Sequence, residues 1–182
     1  MGEELQERNH LPPSEWVLRW APLVARGPVL DVASGSGRHA RVFAARGLEV
    51  VAVDRDPQPA PGVRLVKADL EDGRPWPFAG QRFAAIVVTN YLHRPLLQEI
   101  ETSLDSQGLL IYETFMAGNE KLGKPSNPAF LLRPAELLQA FNALTVLGFE
   151  QGIVERPKPA VVQRLCARRG DIDGVKIPER NA

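Results

Sequence analysis

Three carboxylates stand where they could converge on one ligand. Asp31, Asp54 and Asp69 each end or nearly end a short apolar run, in "VLDVA", "EVVAVD" and "VRLVKAD". Between the first two lies "ASGSG", where Gly35 and Gly37 let the backbone approach a bound molecule closely. An aspartate about twenty residues beyond such a loop is placed to accept hydrogen bonds from a ribose. The stretch suits an adenosine-bearing ligand, and two kinds fit. "GSGRHA" reads as G-x-G-x-x-A, a dinucleotide fingerprint with Asp54 on the ribose. Asp31 points the other way: a carboxylate before the loop would repel a diphosphate and favours a ligand with a positive group.

These residues need strands that end at one edge. From Val29 onward short apolar runs alternate with helical periods, and "FAAIVVTN" and "LLIYET" complete a set of buried strands. "SGRHARVFAARG" predicts a helix with Ala40, Phe43 and Ala44 inward and Gly47 as its stop, and "RPLLQEIETSLDSQG" another, ending at Gly108. "PQPAPG" carries too much proline for a helix, so that crossover is expected to be irregular. The alternation implies an α/β fold with a doubly wound, mostly parallel sheet. "RPAELLQAFNAL" predicts a helix near Pro134; "TVLGFEQGIVE" and "AVVQRLCARR" then form a hairpin, an antiparallel C-terminal ending. Ahead of the first strand, Trp16, Val17, Trp20, Leu23 and Val24 keep helical spacing behind a Ser14 cap, with a break at Pro22. Trp16 and Trp20 are expected to cover the ligand site, with a partner surface as the alternative.

Composition narrows the function classes. The chain has 182 residues, 44% hydrophobic and 24% charged, with Lys+Arg and Asp+Glu equal at 22. Such a chain buries a real core and carries no net field for nucleic acid or anionic membrane. No apolar run reaches the roughly 18–20 residues that span a bilayer, and "MGEELQERNHLPPS" has no signal or transit character. A cytoplasmic protein is expected, with a polar leader over 1–13, one domain over 14–169 and a polar tail over 170–182. His10, His39 and His93 show no metal-ligand spacing, and Cys166 is expected to be a packing thiol, so no metal is expected.

"LDVASGSGRHA" resembles the first motif of class I S-adenosylmethionine-dependent methyltransferases, D/E-x-G-x-G-x-G. Asp31, Gly35 and Gly37 match, while Ala33 replaces the first glycine. The resemblance implies a Rossmann-like sheet with an antiparallel last strand and S-adenosyl-L-methionine as cofactor. It places Asp31 toward the amino end of the cofactor's methionine, with Ala33, Ser34, Gly35 and Gly37 as the loop. Asp54 and Arg55 fall at the ribose, Asp69 and Leu70 at the adenine, and Thr89, Asn90 and Leu92 along the floor.

The methyl acceptor would lie beyond the fourth and fifth strands. "TNYLHRP" offers Tyr91 and His93 as candidate catalytic groups, His93 because an imidazole titrates near neutrality. It lacks the N-P-P-Y/F of amino methyltransferases acting on nucleobases or glutamine. "FMAGNEKLGKPSNPAFLLRP" is long enough to be functional, an acceptor-site lid rooted at Glu113, Thr114 and Phe115, with Lys121, Lys124 and Phe130 as candidate contacts. Together with the small size, this segment resembles the compact tellurite-resistance-type branch, whose members methylate small molecules or soft anions. The expectation is a small-molecule or soft-anion methyltransferase working by in-line transfer. A nicotinamide-dependent oxidoreductase and a non-catalytic cofactor-binding or partner module are the alternatives.

Overall fold

The computed structural model describes residues 11–179. The first ten residues of the expected leader, His10 among them, and the last three of the expected tail lie outside the described residues. Helix α1 (Glu15–Trp20) comes first, followed by strand β1 (Val29–Val32), helix α2 (Arg38–Ala44), β2 (Val50–Asp54), β3 (Val63–Lys67) and β4 (Phe83–Thr89). Helix α3 (Leu97–Thr102), β5 (Leu104–Phe115), α4 (Glu136–Ala140), β6 (Thr145–Val154) and β7 (Ala160–Arg168) complete the chain. The strands form one seven-stranded sheet in the order β3-β2-β1-β4-β5-β7-β6. β3, β2, β1, β4 and β5 run parallel, and β7 is antiparallel to both its neighbours. The mixed α/β sheet expected from the alternation is therefore present, down to the terminal hairpin.

Two cores sandwich this sheet. On one face α1 and α2 bury Trp16, Trp20, Phe43, Val87, Ile111 and Cys166. On the other, α3 and α4 join Phe78, Phe83, Tyr112, Phe141 and Leu165. The central strand β1 is buried along its whole length, which is why it reads as an unbroken apolar run around Asp31. No helix links β3 to β4. A loop does that work, stacking Trp76, Phe78 and Phe83 edge to face at 5.2 and 5.5 Å, with Trp76 Nε1 donating to Ser103 Oγ. Burial lifts the Cys166 thiol well above its usual range, so it packs as an apolar group.

Several predicted boundaries move. The helix expected to end at Gly108 stops at Thr102, and Leu104 instead pairs with Phe83 across a bulged register. Local periodicity cannot see that pairing. α2 starts late because Gly37 caps it in a left-handed conformation, and α4 is one short helix behind a left-handed Ala135. The prolines of 57–62 exclude a helix between β2 and β3, as expected. Ser14 caps α1 by accepting from the Trp16 amide, and Pro22 turns the next residues into a 3-10 turn.

Trp16 and Trp20 do not form a partner surface. Both are buried against the sheet, with Trp16 Nε1 donating to the carbonyl of Leu165 on β7. Gly148 on β6 makes this close approach possible: a Cβ there would sit 2.3 Å from a Trp20 ring carbon. Arg19 stacks over Trp20 at 4.8 Å and pairs with Glu150, fixing α1 to the hairpin. No helix among the described residues is long and apolar enough to cross a membrane.

Candidate functional site

The carboxyl-terminal ends of the parallel strands bring most of the candidate residues to one edge. Asp31, third in β1, is buried, and its Oδ2 accepts from the Ala40 amide at 2.9 Å. Among the described residues its buried Oδ1 has no hydrogen-bond partner, and neither has the buried Ser34 Oγ three residues on. Burial pushes the Asp31 carboxyl up to about 7, with the Ala40 amide and the Arg38 charge pulling the other way. Near its end the strand therefore carries a buried carboxyl group that a cationic partner would satisfy.

The loop beyond Asp31 is wound through three left-handed residues: Ala33 (φ 52), Gly35 (φ 52) and Gly37 (φ 70). Three of its amides are committed within the protein. Ser34 donates to the Val53 carbonyl, Gly37 to the Ser34 carbonyl, and Gly35 to Asp54 Oδ2 at 2.8 Å. These three amides are therefore not offered to a phosphate. Asp54 Oδ1 also accepts from the Asp56 amide, yet each carboxylate oxygen keeps a lone pair for a ligand hydroxyl. Arg55, next along, is exposed.

Asp69 lies two residues past β3, exposed, accepting from the Glu71 amide. Tyr91 sits on this side of the site. Burial and then the Glu71 carboxylate raise its hydroxyl above the usual range, with Asp69 and Arg55 also within electrostatic reach. Leu70 and Tyr91 pack against the same core, and Leu92 is part of it. The structure thus groups the Tyr91 side chain with the residues expected around the adenine, while its carbonyl accepts from the Tyr112 hydroxyl of β5. His93 is half-buried, and its carbonyl accepts from the Leu96 amide to open a 3-10 turn.

A second polar group, on the α1 side, was only partly anticipated. Thr89 and Glu113 are register partners at the tips of β4 and β5, and Asn90 donates its amide to the Glu113 carbonyl. His39 is buried between Thr89 Oγ1, 3.1 Å from Nδ1, and the Ser14 amide, which donates to Nε2 at 3.1 Å. An Nε2 that accepts leaves the proton on Nδ1, donated to Thr89. Burial, then Arg38 and Arg41, push His39 down to about 3, so the ring is a neutral tie between α1 and β4. Glu113 is held by Arg164 of β7 at 2.5 Å. Arg38 is half-buried within electrostatic reach of Glu113 and Asp31. Sequence reasoning took Arg38 and His39 as ordinary helix residues; the available signal was their place directly after Gly37.

The long segment after β5 is closed on itself. Met116 bridges Leu132, and buried Asn119 accepts from the Val161 amide and donates to the Pro125 carbonyl. Arg94, from the β4 side, donates to the carbonyls of Ala129 and Leu131 and to both oxygens of Glu136. Phe115 is half-buried at its root, while Lys121, Lys124 and Phe130 are exposed. A cleft of about 420 Å³ lies at the opposite end of the sheet, lined by Val24, Arg26, Leu109, Arg168 and Lys176, and includes none of the candidate residues.

A family model described as a methyltransferase domain matches residues 30–112, from β1 to the middle of β5. No curated protein sequence matches the chain. Among solved structures, TehB from Haemophilus influenzae superposes with a TM-score of 0.68 at 14% identity, covering 84% of this chain; the chain spans 61% of TehB's length. The 1,6-didemethyltoxoflavin-N1-methyltransferase of Burkholderia thailandensis, solved with 1,6-didemethyltoxoflavin and S-adenosylhomocysteine, gives 0.64 at 22% identity over 93% of this chain and 83% of that one. The glycopeptide N-methyltransferase MtfA with S-adenosyl-L-homocysteine gives 0.59 at 16% identity, covering 87% and 90%. Residues 30–112 are thus similar to a methyltransferase domain, and the strand order gives the chain the fold that these methyltransferase structures share.

Proposed function

We propose that the chain transfers a methyl group from S-adenosylmethionine to a small-molecule or soft-anion acceptor. The observation that carries the cofactor's placement is the buried, unpartnered Oδ1 of Asp31 beside the unpartnered Ser34 Oγ. A phosphate would be repelled there, whereas an ammonium would complete the carboxylate. The residues fit the cofactor at its other end too: Asp54 has acceptor capacity for two ribose hydroxyls, and Asp69, Leu70 and Tyr91 stand together on the adenine side.

When bound, the cofactor supplies an electrophilic methyl on a cationic sulfonium. The chain's own contribution is alignment and exclusion of water. In this reading the β4 and β5 tips, Thr89, Asn90 and Glu113, form the wall beside the transferring group, and the closed segment from Phe115 to Leu132 roofs the acceptor. His93 is the candidate base for an acceptor that arrives protonated, and Lys121, Lys124 and Phe130 are candidate contacts on the roof. Several superposed structures are of small-molecule or peptide N-methyltransferases, which supports a compact acceptor. The reading takes residues 14–169 as one catalytic domain and places it in the cytoplasm.

Radiolabelled S-adenosylmethionine, incubated with the chain and a panel of small thiols, amines, phenols and metalloid oxyanions, tests the reading. Label transferred to one acceptor class supports it. Cofactor binding with no transfer to any acceptor in a broad panel would favour a non-catalytic module.

A further inference from the structure

The cleft at the amino ends of the parallel strands lies at the far end of the sheet from the glycine loop. Its volume of about 420 Å³ falls in the range of small-ligand pockets. The segment before β1, the start of β4, the hairpin and the chain beyond β7 enclose it. That last stretch forms the outer wall as a strap. Its start is tied by Thr145 Oγ1, which donates to the Gly170 carbonyl, and its far end by Arg19 Nε, which donates to the Pro178 carbonyl. Between the two ties, Asp173 to Lys176 line the cleft. Leu23, Leu109, Leu147 and Val175 supply apolar walls.

Arg168 gives this cleft its polarity. It stands opposite Leu109 in the β5–β7 register, and Leu109 belongs to the core on the α1 side, so the arginine runs over that face into the cleft. Its Nε is buried and, among the described residues, has no hydrogen-bond partner. The neighbouring charges leave it so. Arg26 is taken by Asp105 at 2.5 Å, and Lys176 adds a further cation at the exposed rim. Asp173, the one acid on the lining, is exposed on the strap, and among the described residues no ion pair joins it to Arg168. A desolvated guanidinium nitrogen without an acceptor is costly, and the planar fork it belongs to matches a carboxylate. Apolar walls around one such group call for a ligand of the same make-up. We propose that the cleft binds a small apolar carboxylic acid in its ionised form, the carboxylate on Arg168 and the hydrocarbon body against Leu109, Leu147 and Val175. This second site shares no residue with the strand-tip site and stands independently of the methyltransferase reading.

Heteronuclear NMR of the isotope-labelled full chain tests the assignment, with hexanoate, phenylbutyrate, the neutral amides of both acids and inorganic phosphate as probes. At least one of the acids is expected to shift the amide signals of Ala84, Leu109, Leu147 and Val175 and to leave those of Gly35 and Asp54 in place. Its amide should bind at least about 10-fold more weakly, the scale of a lost charge-assisted hydrogen bond. Arg168→Gln should lose a similar factor for the acid while its affinity for the amide stays within about twofold, and Arg168→Lys should recover part of the loss. Equal affinity for acid and amide, shifts at the strand tips instead of the cleft, or no shift with either acid would overturn the proposal. Phosphate bound as tightly as the acids would mean an adventitious ion only and would overturn it too. The comparison of acid with amide is made on the wild type, so it decides the matter even if Arg168→Gln fails to fold.

Discussion

The amide of Gly35 donates to Asp54 Oδ2 at 2.8 Å, joining the glycine loop after β1 to the tip of β2. One carboxylate therefore shapes the loop and offers its remaining lone pairs outward. Asp54→Ala should weaken S-adenosylhomocysteine binding by at least about 1–2 kcal/mol, the scale of charge-assisted hydrogen bonds lost. Asp54→Asn keeps an acceptor for Gly35 and should fall between the two. Calorimetric titration reads both, and an unchanged affinity in Asp54→Ala would remove this residue from the site.

Asp31 and His39 titrate in opposite senses. Burial raises Asp31 from 3.8 to about 7, so between those values the folded chain keeps a proton the unfolded chain has lost. That contribution to stability falls as pH rises through the window and is flat above it. Burial lowers His39 from 6.5 to about 3, so its stabilisation is complete above 6.5 and is lost as pH falls toward 3. In the wild type the two slopes oppose each other. Melting temperature followed across acid pH should rise more steeply with pH in Asp31→Asn and less steeply, or reverse, in His39→Gln. Three parallel curves would mean that neither group is perturbed by burial.

Ala33 holds φ 52, a conformation that costs an alanine about 1–2 kcal/mol and a glycine almost nothing. Glycine gives back roughly 0.5–1 kcal/mol through its freer unfolded chain. Ala33→Gly should thus raise the melting temperature slightly, by a gain of no more than about 1.5 kcal/mol. Ala33→Val should lower it. A clear loss of stability in the glycine variant would mean that the methyl group packs in a way that outweighs the strain.

Gly148→Ala forces a Cβ to within 2.3 Å of Trp20 Cζ2, with Trp16 close behind at 3.3 Å. Neither ring has space to retreat, since both are buried. Overpacking of this kind costs about 1–3 kcal/mol, and α1 should tilt away from the hairpin. Chemical denaturation gives the stability. Near-ultraviolet circular dichroism, which reports the packing of the tryptophans, should lose intensity as well.

Much of this architecture is legible in the chain because it is written locally. Buried parallel strands announce themselves as Val- and Ile-rich runs, the prolines of 57–62 exclude a helix, and "RPKP" permits only a hairpin. The motif around Asp31 is legible for the same reason. What was missed depends on distant partners. Leu104 to Gly108 look like the end of a helix until Phe83 pairs with Leu104. His39 looks like a helix residue until Ser14, 25 positions earlier, donates to it. Arg38 is conspicuous only beside a Glu113 that Arg164 has already taken.

The bond from Trp16 to the Leu165 carbonyl spans 149 positions of chain. During synthesis α1 leaves the ribosome first, yet the strand it rests on is almost the last to appear. At about 5–20 residues per second the delay is on the order of ten seconds. Throughout it, two tryptophans wait without part of their floor, and the His39 tie to β4 is left to hold α1. Nascent chains stalled before β7 should therefore present this helix to chaperones, and loss of the final hairpin should unseat the helix from the opposite end of the chain.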